Sequence, residues 1–298
     1  MRVLISGATG LVGTELIRQL KARGDEPIRL VRRAAKSADE VEWHPETGFI
    51  ADGALERIDA VVNLAGATTG KIPWTKSYKQ EIVNSRINST AVLVKAISQA
   101  SSKPRVLVSG SASGFYGDCG DEWLSENSPK GSGFLSDLSH KWEQTALEAA
   151  GHTRVVLVRT TMVMSRKLGA LGRLLPLIKA GIGGALGSGK QWWAWISLPD
   201  EAAAILHLID TETASGAYNL TAPEPATCKQ IVKALAKELH RPALLDVPGF
   251  VMKLLIGEAA TELLLCSQKM TSDRLLETGF KFQHPDLKSA AHWVVTGK

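Results

Sequence analysis

Three glycines near the amino terminus have the spacing of a phosphate-binding turn. Gly7, Gly10 and Gly13 follow a run of β-branched and leucine residues and precede a segment with apolar residues at helical spacing. A strand, a tight turn and a helix in this order present backbone N–H groups and the positive end of the helix dipole to a phosphate. The pattern predicts a dinucleotide-binding turn, and the alternative is a glycine-rich turn without a ligand. The residues predicted to bind are Gly7, Thr9, Gly10, Leu11, Val12 and Gly13.

Two arginines directly follow the second predicted strand, residues 28–31. In NAD sites an acidic residue about 20 positions beyond the glycines binds the ribose hydroxyls. Arg32 and Arg33 stand at that place here. A guanidinium binds a 2′-phosphate through charge-assisted hydrogen bonds, whereas a carboxylate would repel it. The pair therefore favours NADP(H) as the cofactor, and the alternative is a pair of solvated loop arginines.

A further apolar strand, predicted from residue 58 onward, ends in small and polar residues. Because these residues are small, the adenine side of a cofactor could lie against the end of this strand. The residues predicted to contact the cofactor there are Asn63, Leu64, Ala65 and Gly66.

The elements that must position these residues alternate regularly. Apolar strands and amphipathic helices follow one another up to about residue 160, which is typical of a parallel sheet covered by helices on both faces. We predict an α/β fold, a doubly wound parallel sheet (Rossmann) over residues 1–164, with a smaller, mainly helical C-terminal substrate region over residues 165–298. The strand at 216–220 is expected to join the first sheet.

The pattern changes after residue 164. Residues 165–191 are rich in glycine around a predicted helix at 171–180, and Trp192, Trp193 and Trp195 follow directly. Flexible glycines beside large flat rings suit a loop that closes over a ligand. They also suit a tightly packed turn between two regions, so both interpretations stay open at this point.

Composition excludes several classes of protein. The 298 residues are 44% apolar and 22% charged, which is ordinary for a soluble globular protein. The net charge of +5 is scattered among acidic residues, so no nucleic-acid partner is expected. No apolar stretch reaches the roughly 20 residues of a membrane span, and no membrane partner is expected. Three widely spaced cysteines and a start that lacks a leader pattern predict a cytoplasmic protein without a metal site.

Taken together, these motifs resemble those of the extended and atypical short-chain dehydrogenases/reductases. Within them, the chain is similar to the group labelled "epimerase family protein" or NAD-dependent epimerase/dehydratase-like. The resemblance covers essentially the whole chain, and it implies a Rossmann fold, a nicotinamide cofactor, a small-molecule substrate and a possible homodimer. It rests on residues 7–13, 63–66, 109–118, 141–143, 187–196 and 218–223.

The resemblance also assigns catalytic positions, and the chain departs from them. Members of the wider family use a serine, a tyrosine and a lysine, with an asparagine on the preceding helix. Ser111 matches the serine, but Leu135 stands at the tyrosine position and Ser139 at the lysine position. Arg86 stands at the asparagine position and joins the predicted cofactor-binding residues. Leucine cannot transfer a proton, so Tyr116, the nearest phenol to Ser111 in sequence, is the first candidate acid or base, and His140, Lys141 and Asp118 are weaker ones.

The substrate positions differ as well. In sugar-nucleotide epimerases an arginine that binds the substrate diphosphate stands where this chain has Trp193. A tryptophan stacks on flat or apolar groups, so the resemblance disfavours a sugar nucleotide and predicts substrate contacts from Ser113, Trp192 and Trp193. The alternative is that these tryptophans fill a core.

The sequence is compatible with two functions. The first is an NADP(H)-dependent oxidoreductase or epimerase that lacks the usual Tyr-x-x-x-Lys pair and acts on an unknown substrate. The second is a catalytically silent NADP(H)-binding regulator, similar to proteins labelled cell division inhibitors. Ser111 and the glycine and tryptophan segment favour the enzyme, whereas the missing tyrosine and lysine favour the regulator.

Overall fold

A computed structural model describes residues 1–166 and 169–297 of the chain; residues 167, 168 and 298 lie outside the description. The strands are β1 (Arg2–Ser6), β2 (Glu26–Val31), β3 (Glu40–His44), β4 (Phe49–Ile50), β5 (Ala60–Asn63), β6 (Val106–Ala112), β7 (Trp123–Leu124), β8 (Arg154–Thr160), β9 (Met162–Met164), β10 (Trp192–Trp193), β11 (Trp195–Ser197), β12 (Gly216–Leu220), β13 (Ala226–Thr227) and β14 (Lys269–Met270).

Nine α-helices lie within residues 1–166 and 169–297. They are α1 (Leu11–Ala22), α2 (Lys76–Gln99), α3 (Phe134–Leu147), α4 (Gly169–Lys179), α5 (Leu198–Asp210), α6 (Cys228–Glu238), α7 (Gly249–Ile256), α8 (Asp273–Glu277) and α9 (Leu287–Thr296). The helix predicted at 171–180 corresponds to α4. A 3₁₀ turn covers Ser113–Tyr116, and a π-helical turn covers Ala260–Leu265.

One large sheet organises the molecule. Its strand order is β12-β8-β6-β5-β1-β2-β3-β4, and all neighbouring strands are parallel except the β3–β4 hairpin. Helices cover both faces: α1 and α5 pack on one, and α2 and α3 on the other. The prediction of a doubly wound parallel sheet is therefore confirmed, and β12 joins this sheet as expected.

The strand order reverses beside β1. From β1 the chain adds β2 and β3 on one side, then crosses back to place β5, β6, β8 and β12 on the other. At such a switch point the loops that leave two adjacent strands diverge, which opens a crevice at the carboxyl edge of the sheet. The crevice here lies between the ends of β1 at Ser6 and β5 at Asn63.

Residue 164 does not separate two cores. Helix α5 lies beyond it, yet Ile205 and Leu208 are buried against α1 in the core of the main sheet. Leu275 and Phe280, near the carboxyl terminus, belong to the same cluster. This follows from the chain path. After β11 the chain forms α5 on the face of the sheet that α1 covers, and β12 then adds to the edge of the sheet.

The remaining residues form a second, mainly helical core. Helices α4, α6 and α9 bury one another's apolar faces around Trp193 and Trp195. Short strand pairs that the sequence did not predict tie this part to the sheet region, namely β9 with β11, β10 with β13 and β7 with β14. Within residues 1–166 and 169–297, no helix has the length and apolar content needed to cross a membrane.

Candidate functional site

The glycine turn between β1 and α1 has no room for side chains at two of its positions. Gly7 has φ +67°, and a Cβ atom there would lie 2.6 Å from the carbonyl oxygen of Leu64. A Cβ atom on Gly13 would collide with the carbonyl oxygen of Gly7. The backbone N–H of Gly10 donates to that same oxygen at 2.9 Å, which closes the turn. Glycine at positions 7 and 13 is therefore a steric requirement of this turn.

The first turn of α1 presents donors to the crevice. Gly10 is the N-cap and offers no capping side chain, and the first backbone bond of the helix runs from Thr14 N–H to Gly10 at 2.9 Å. The N–H groups of Leu11, Val12 and Gly13 precede that bond, so they are available to a ligand at the positive end of the helix dipole. Together with the narrow glycine turn, this donor set fits the diphosphate of a dinucleotide.

A buried hydroxyl, which the sequence reasoning missed, fixes the opposite wall of the crevice. Ser6 Oγ donates to Asn63 Oδ1 at 2.6 Å and accepts the N–H groups of Leu64 and Ala65 at 3.0 and 3.1 Å. Asn63 donates in turn to Thr90 Oγ1 at 2.8 Å. The side chain of Asn63, predicted to bind the cofactor, is thus used inside the protein. Its contribution to the crevice is to hold residues 64–66 in place.

Arg86, on α2, lies beside this wall. Its Nη1 donates to the carbonyl oxygens of Ala67 and Ile82 at 3.0 and 3.1 Å, and a Cβ on Gly66 would lie 3.0 Å from its Cζ. Burial lowers the pKa of Arg86 to about 10, so it stays cationic at neutral pH. In the described part of the chain no carboxylate pairs with it. A partly buried cation without a counter-ion suits an anionic ligand.

The two arginines that were predicted to bind the cofactor differ in their hydrogen-bond partners. Arg33 forms a bidentate ion pair with Glu40, with both N–O distances at 2.7 Å, and these hydrogen bonds lower the pKa of Glu40 to about 2. Arg32 is exposed and has no hydrogen-bond partner among residues 1–166 and 169–297. Arg32 is consequently the guanidinium that is available at the end of β2.

At the other end of the crevice, Ser111 belongs to a buried polar network. Its hydroxyl donates to Glu143 Oε1 at 2.6 Å. Arg159 binds the same carboxylate through Nε at 2.8 Å and Nη2 at 2.9 Å. Each of the three residues is at most 4% exposed. Because the only proton of Ser111 Oγ is committed to Glu143, its oxygen presents acceptor lone pairs to any neighbouring group.

Tyr116 belongs to the same network and has a structural environment. It is fully buried, its hydroxyl donates to Asn219 Oδ1 at 2.7 Å, and it accepts from Arg159 Nη1 at 2.8 Å. Burial raises the pKa of Tyr116 to about 12. Both hydrogen bonds of the phenol are internal, and the high pKa opposes ionisation. This environment disfavours the acid or base role predicted for Tyr116.

A packed apolar side chain lies at the position that the resemblance assigns to the tyrosine. Leu135 is buried with Tyr78, Ile82 and Leu138, and its backbone N–H donates to Glu262 Oε2 at 3.1 Å. A carboxylate from the π-helical turn thus caps the first turn of α3. No proton donor replaces the tyrosine at position 135 itself.

The predicted substrate residues have different environments. Trp193 is buried in the helical core and donates from Nε1 to Leu264 O at 2.9 Å, so for this residue the packing alternative holds. Trp192 is partly exposed. Its Nε1 donates to Asp121 Oδ1 at 2.7 Å, and its ring centre lies 4.5 Å from Lys269 Nζ. Ser113 is partly exposed in the 3₁₀ turn. Trp192 and Ser113 therefore remain the candidates for contact with a substrate.

A cavity of about 360 Å³ opens between α7, the π-helical turn and the glycine-rich segment before β10. Its lining mixes apolar and polar groups, which suits a small amphipathic molecule. The lining residues are Asp118, Gly187, Ser188, Gln191, Gly249, Phe250, Lys253, Thr261 and Leu265. Over the described residues, no cluster of histidine, cysteine and carboxylate side chains could hold a metal ion.

Sequence signals existed for some of the residues that were missed. Arg159 is a charge at the end of an otherwise apolar strand, and Ser6 is a hydroxyl directly before the first glycine. Glu201, on α5, gave no signal, although it is fully buried and accepts from Thr160 Oγ1 at 2.6 Å. Burial raises the pKa of Glu201 to about 8.

Comparison with known proteins shows the family of this chain. The sequence model of the NAD dependent epimerase/dehydratase family matches residues 3–221, and a domain of unknown function, DUF1731, matches residues 247–294. The chain therefore belongs to the NAD dependent epimerase/dehydratase family. An epimerase family protein of Mycobacterium leprae is 38% identical over 296 residues, which cover 99% of this chain and 95% of the relative.

Solved structures show the same fold. The human epimerase family protein SDR39U1, crystallised with NADPH, superimposes with a TM-score of 0.91 at 33% identity, and the match covers 99% of each chain. MoeE5, solved with UDP-glucuronic acid and NAD, gives a TM-score of 0.79 at 20% identity over 99% of this chain and 98% of its own. The second likeness is one of fold alone.

Proposed function

We propose that this chain binds NADP(H) in preference to NAD(H) and carries out hydride transfer on a small molecule that is not a sugar nucleotide. The observation that carries the proposal is the free guanidinium of Arg32 at the end of β2, beside a glycine turn whose first helical N–H groups are uncapped. The human relative crystallised with NADPH supports the same cofactor.

Each part of the crevice has a distinct role in this proposal. The α1 N-terminus binds the diphosphate, and Arg32 binds the 2′-phosphate. Bound NADPH supplies a hydride. The Ser111 hydroxyl donates to Glu143, so its oxygen accepts a hydrogen bond from a donor group of the substrate and orients that group. Proton exchange with the substrate oxygen is left to water, because Leu135 occupies the tyrosine position and the Tyr116 phenol is bonded internally.

Calorimetric titration with NADPH and NADH tests the cofactor. NADPH should bind at least about tenfold tighter, a difference of about 1.4 kcal/mol. Arg32→Ala should remove that preference. Arg33→Ala is the matched control and should keep most of it, because Arg33 is already paired with Glu40. Equal affinities for the two nucleotides in the unmodified protein would refute the assignment to NADP(H).

A second function, the silent regulator, is favoured by the packed leucine at position 135. The two functions differ in turnover. Oxidation of bound NADPH by any member of a panel of carbonyl compounds, lost in Ser111→Ala while NADPH affinity is unchanged, supports the enzyme. NADPH that binds but is not consumed across a broad panel supports the regulator.

A further inference from the structure

The large apolar side chains that are exposed to solvent concentrate at one end of the molecule. Of the eleven in the described residues, seven lie in two segments, 177–187 and 241–256. Two belong to the end of α4 and the turn after it, two to the segment before α7, and three to α7 itself. In α7, Phe250 is 73% exposed, Leu254 83% and Leu255 69%. We call these two segments the apolar face.

Backbone hydrogen bonds hold the two segments side by side. Val247 N–H donates to Ala185 O, and Gly187 N–H donates to Val247 O, both at 2.8 Å. The guanidinium of Arg241 donates to Lys179 O at 3.0 Å. The two segments that carry the exposed apolar residues are therefore neighbours in the fold. Large exposed apolar patches mark sites that contact a protein or a membrane.

Helix α7 is unusual within this surface. Its sequence is apolar apart from Lys253, yet none of its eight residues is buried. A surface helix ordinarily buries one apolar stripe against the core and exposes a polar one. Helix α7 packs against the π-helical turn, yet Phe250, Leu254 and Leu255 expose apolar groups, an arrangement suited to partial insertion into an apolar layer. Eight residues are too few to span a bilayer.

The apolar face and the residues next to it carry unpaired positive charges. Lys179, Lys190 and Lys253 are exposed, and within the described ranges no carboxylate forms an ion pair with them. Lys179 and Lys253 belong to the two segments, and Lys190 follows the first segment by three residues.

The acidic residues of the same region are already engaged. Asp246 accepts the N–H of Ala185 at 2.7 Å and lies 3.8 Å from the ammonium of Lys229. Glu258, directly after α7, accepts from Lys79 at 2.8 Å through both carboxylate oxygens. The uncompensated charge of the apolar face is therefore positive.

We propose that the apolar face docks on an anionic lipid bilayer, with α7 inserted to the depth of the headgroups and the three lysines in contact with lipid phosphates. Apolar insertion combined with basic residues is the usual basis of reversible binding to such surfaces. Self-association through this face would bring the unpaired lysines of two copies together, which opposes it. The proposal departs from the expectation of no membrane partner, which rested on the absence of a spanning segment.

Co-sedimentation with lipid vesicles tests the proposal. The protein should bind vesicles of phosphatidylcholine with about one third phosphatidylglycerol, an anionic lipid, and should bind pure phosphatidylcholine at least about tenfold more weakly. The double variant Leu254→Ser/Leu255→Ser and the single variant Lys253→Glu should each lower binding to the anionic vesicles by about tenfold or more. Leu276→Ser is the matched control, because Leu276 is exposed outside the apolar face.

Three results would overturn the proposal. One is equal binding of the α7 variants and the Leu276→Ser control. Another is equal binding to neutral and anionic vesicles. The third is absence of vesicle binding together with concentration-dependent dimers in sedimentation velocity that the Leu254→Ser/Leu255→Ser variant abolishes, which would assign the face to a second copy. NADPH affinity of each variant, measured in parallel, should be unchanged and separates this test from that of the cofactor.

Discussion

The two ends of the crevice are built by different means. The nucleotide end depends on backbone geometry, since Gly7 and Gly13 leave no room for a side chain and the donors are main-chain N–H groups. The chemical end depends on side chains, with Ser111, Glu143 and Arg159 joined in one buried network. The glycine turn thus has the geometry of a dinucleotide-binding turn, while an ion pair lies at the chemical end and a leucine is packed at position 135, where the resemblance implies a proton donor.

The ion pair at the chemical end is well compensated. The Arg159 guanidinium donates to both oxygens of Glu143 and to the Tyr116 hydroxyl, and its Cζ lies 3.6 Å from the centre of the Phe115 ring. Burying two charges is costly unless their remaining hydrogen bonds are satisfied, and here they are. The network therefore fixes the ends of β6 and β8 relative to α3.

The largest effect is expected from breaking this ion pair. Arg159→Met leaves the Glu143 carboxylate buried without a counter-ion, so the free energy of unfolding should fall by about 3–5 kcal/mol in urea titrations. Because the nucleotide end uses backbone donors, the affinity of the folded variant for NADPH should change by less than about threefold.

The exposed ion pair between Lys130 and Asp137 provides the control. Their side chains are 32% and 72% exposed, and Lys130→Met should cost about 1 kcal/mol or less. If Arg159→Met costs no more than this control, the network does not stabilise the chemical end, and the contrast between the two ends is wrong.

The next effect concerns the nucleotide end. Gly13→Ala places a methyl group against the carbonyl oxygen of Gly7, so the turn must shift away from the diphosphate position. Calorimetry should show a loss of NADPH affinity of at least about 100-fold, or about 2.7 kcal/mol. Gly151→Ala, where a Cβ would meet nothing within 4 Å, should bind NADPH as the unmodified protein does. Normal binding by Gly13→Ala would mean that the diphosphate lies elsewhere.

The same contrast explains what could be predicted from the sequence. The glycine turn of the nucleotide end lies within the first thirteen residues, and the spacing of its glycines is typical of one backbone geometry. The turn and the helix after it could therefore be predicted. The strands of the main sheet were predictable from their apolar runs. The second arginine was assigned to the cofactor because its partner Glu40, on the neighbouring strand β3, is recognised only when the strands pair.

The chemical end could not be predicted in this way. Ser111, Glu143 and Arg159 are separated by 16 to 48 residues, and only the packing of α3 against β6 and β8 brings them together. The environment of Trp193 likewise depends on the approach of the π-helical turn, whose Leu264 accepts its indole N–H. Residue type singled out Ser111 and Trp193, but tertiary contacts decided the environment of each side chain.

Glu201 differs from the paired carboxylate of Glu143, because it is a buried carboxyl without a cationic partner. It lies beside Thr160 at the end of β8, and in the part of the chain that the structure describes its Oε2 has no hydrogen-bond partner. Burial raises the pKa of Glu201 from its ordinary 4.5 to about 8. At neutral pH the folded protein therefore holds this carboxyl in its protonated form, whereas the unfolded chain ionises it.

The sign of the pH effect follows from that difference. Below pH 4.5 both states are protonated and the stability is fully present; as the pH rises toward 8, ionisation favours the unfolded chain and stability is lost. Glu201→Gln cannot ionise, so between pH 5 and pH 7 the unmodified protein should lose about 2–3 kcal/mol of unfolding free energy relative to the variant. Urea titrations at a series of pH values measure this difference. Parallel pH profiles for the two proteins would show that Glu201 ionises equally in both states, and that its surroundings are hydrated.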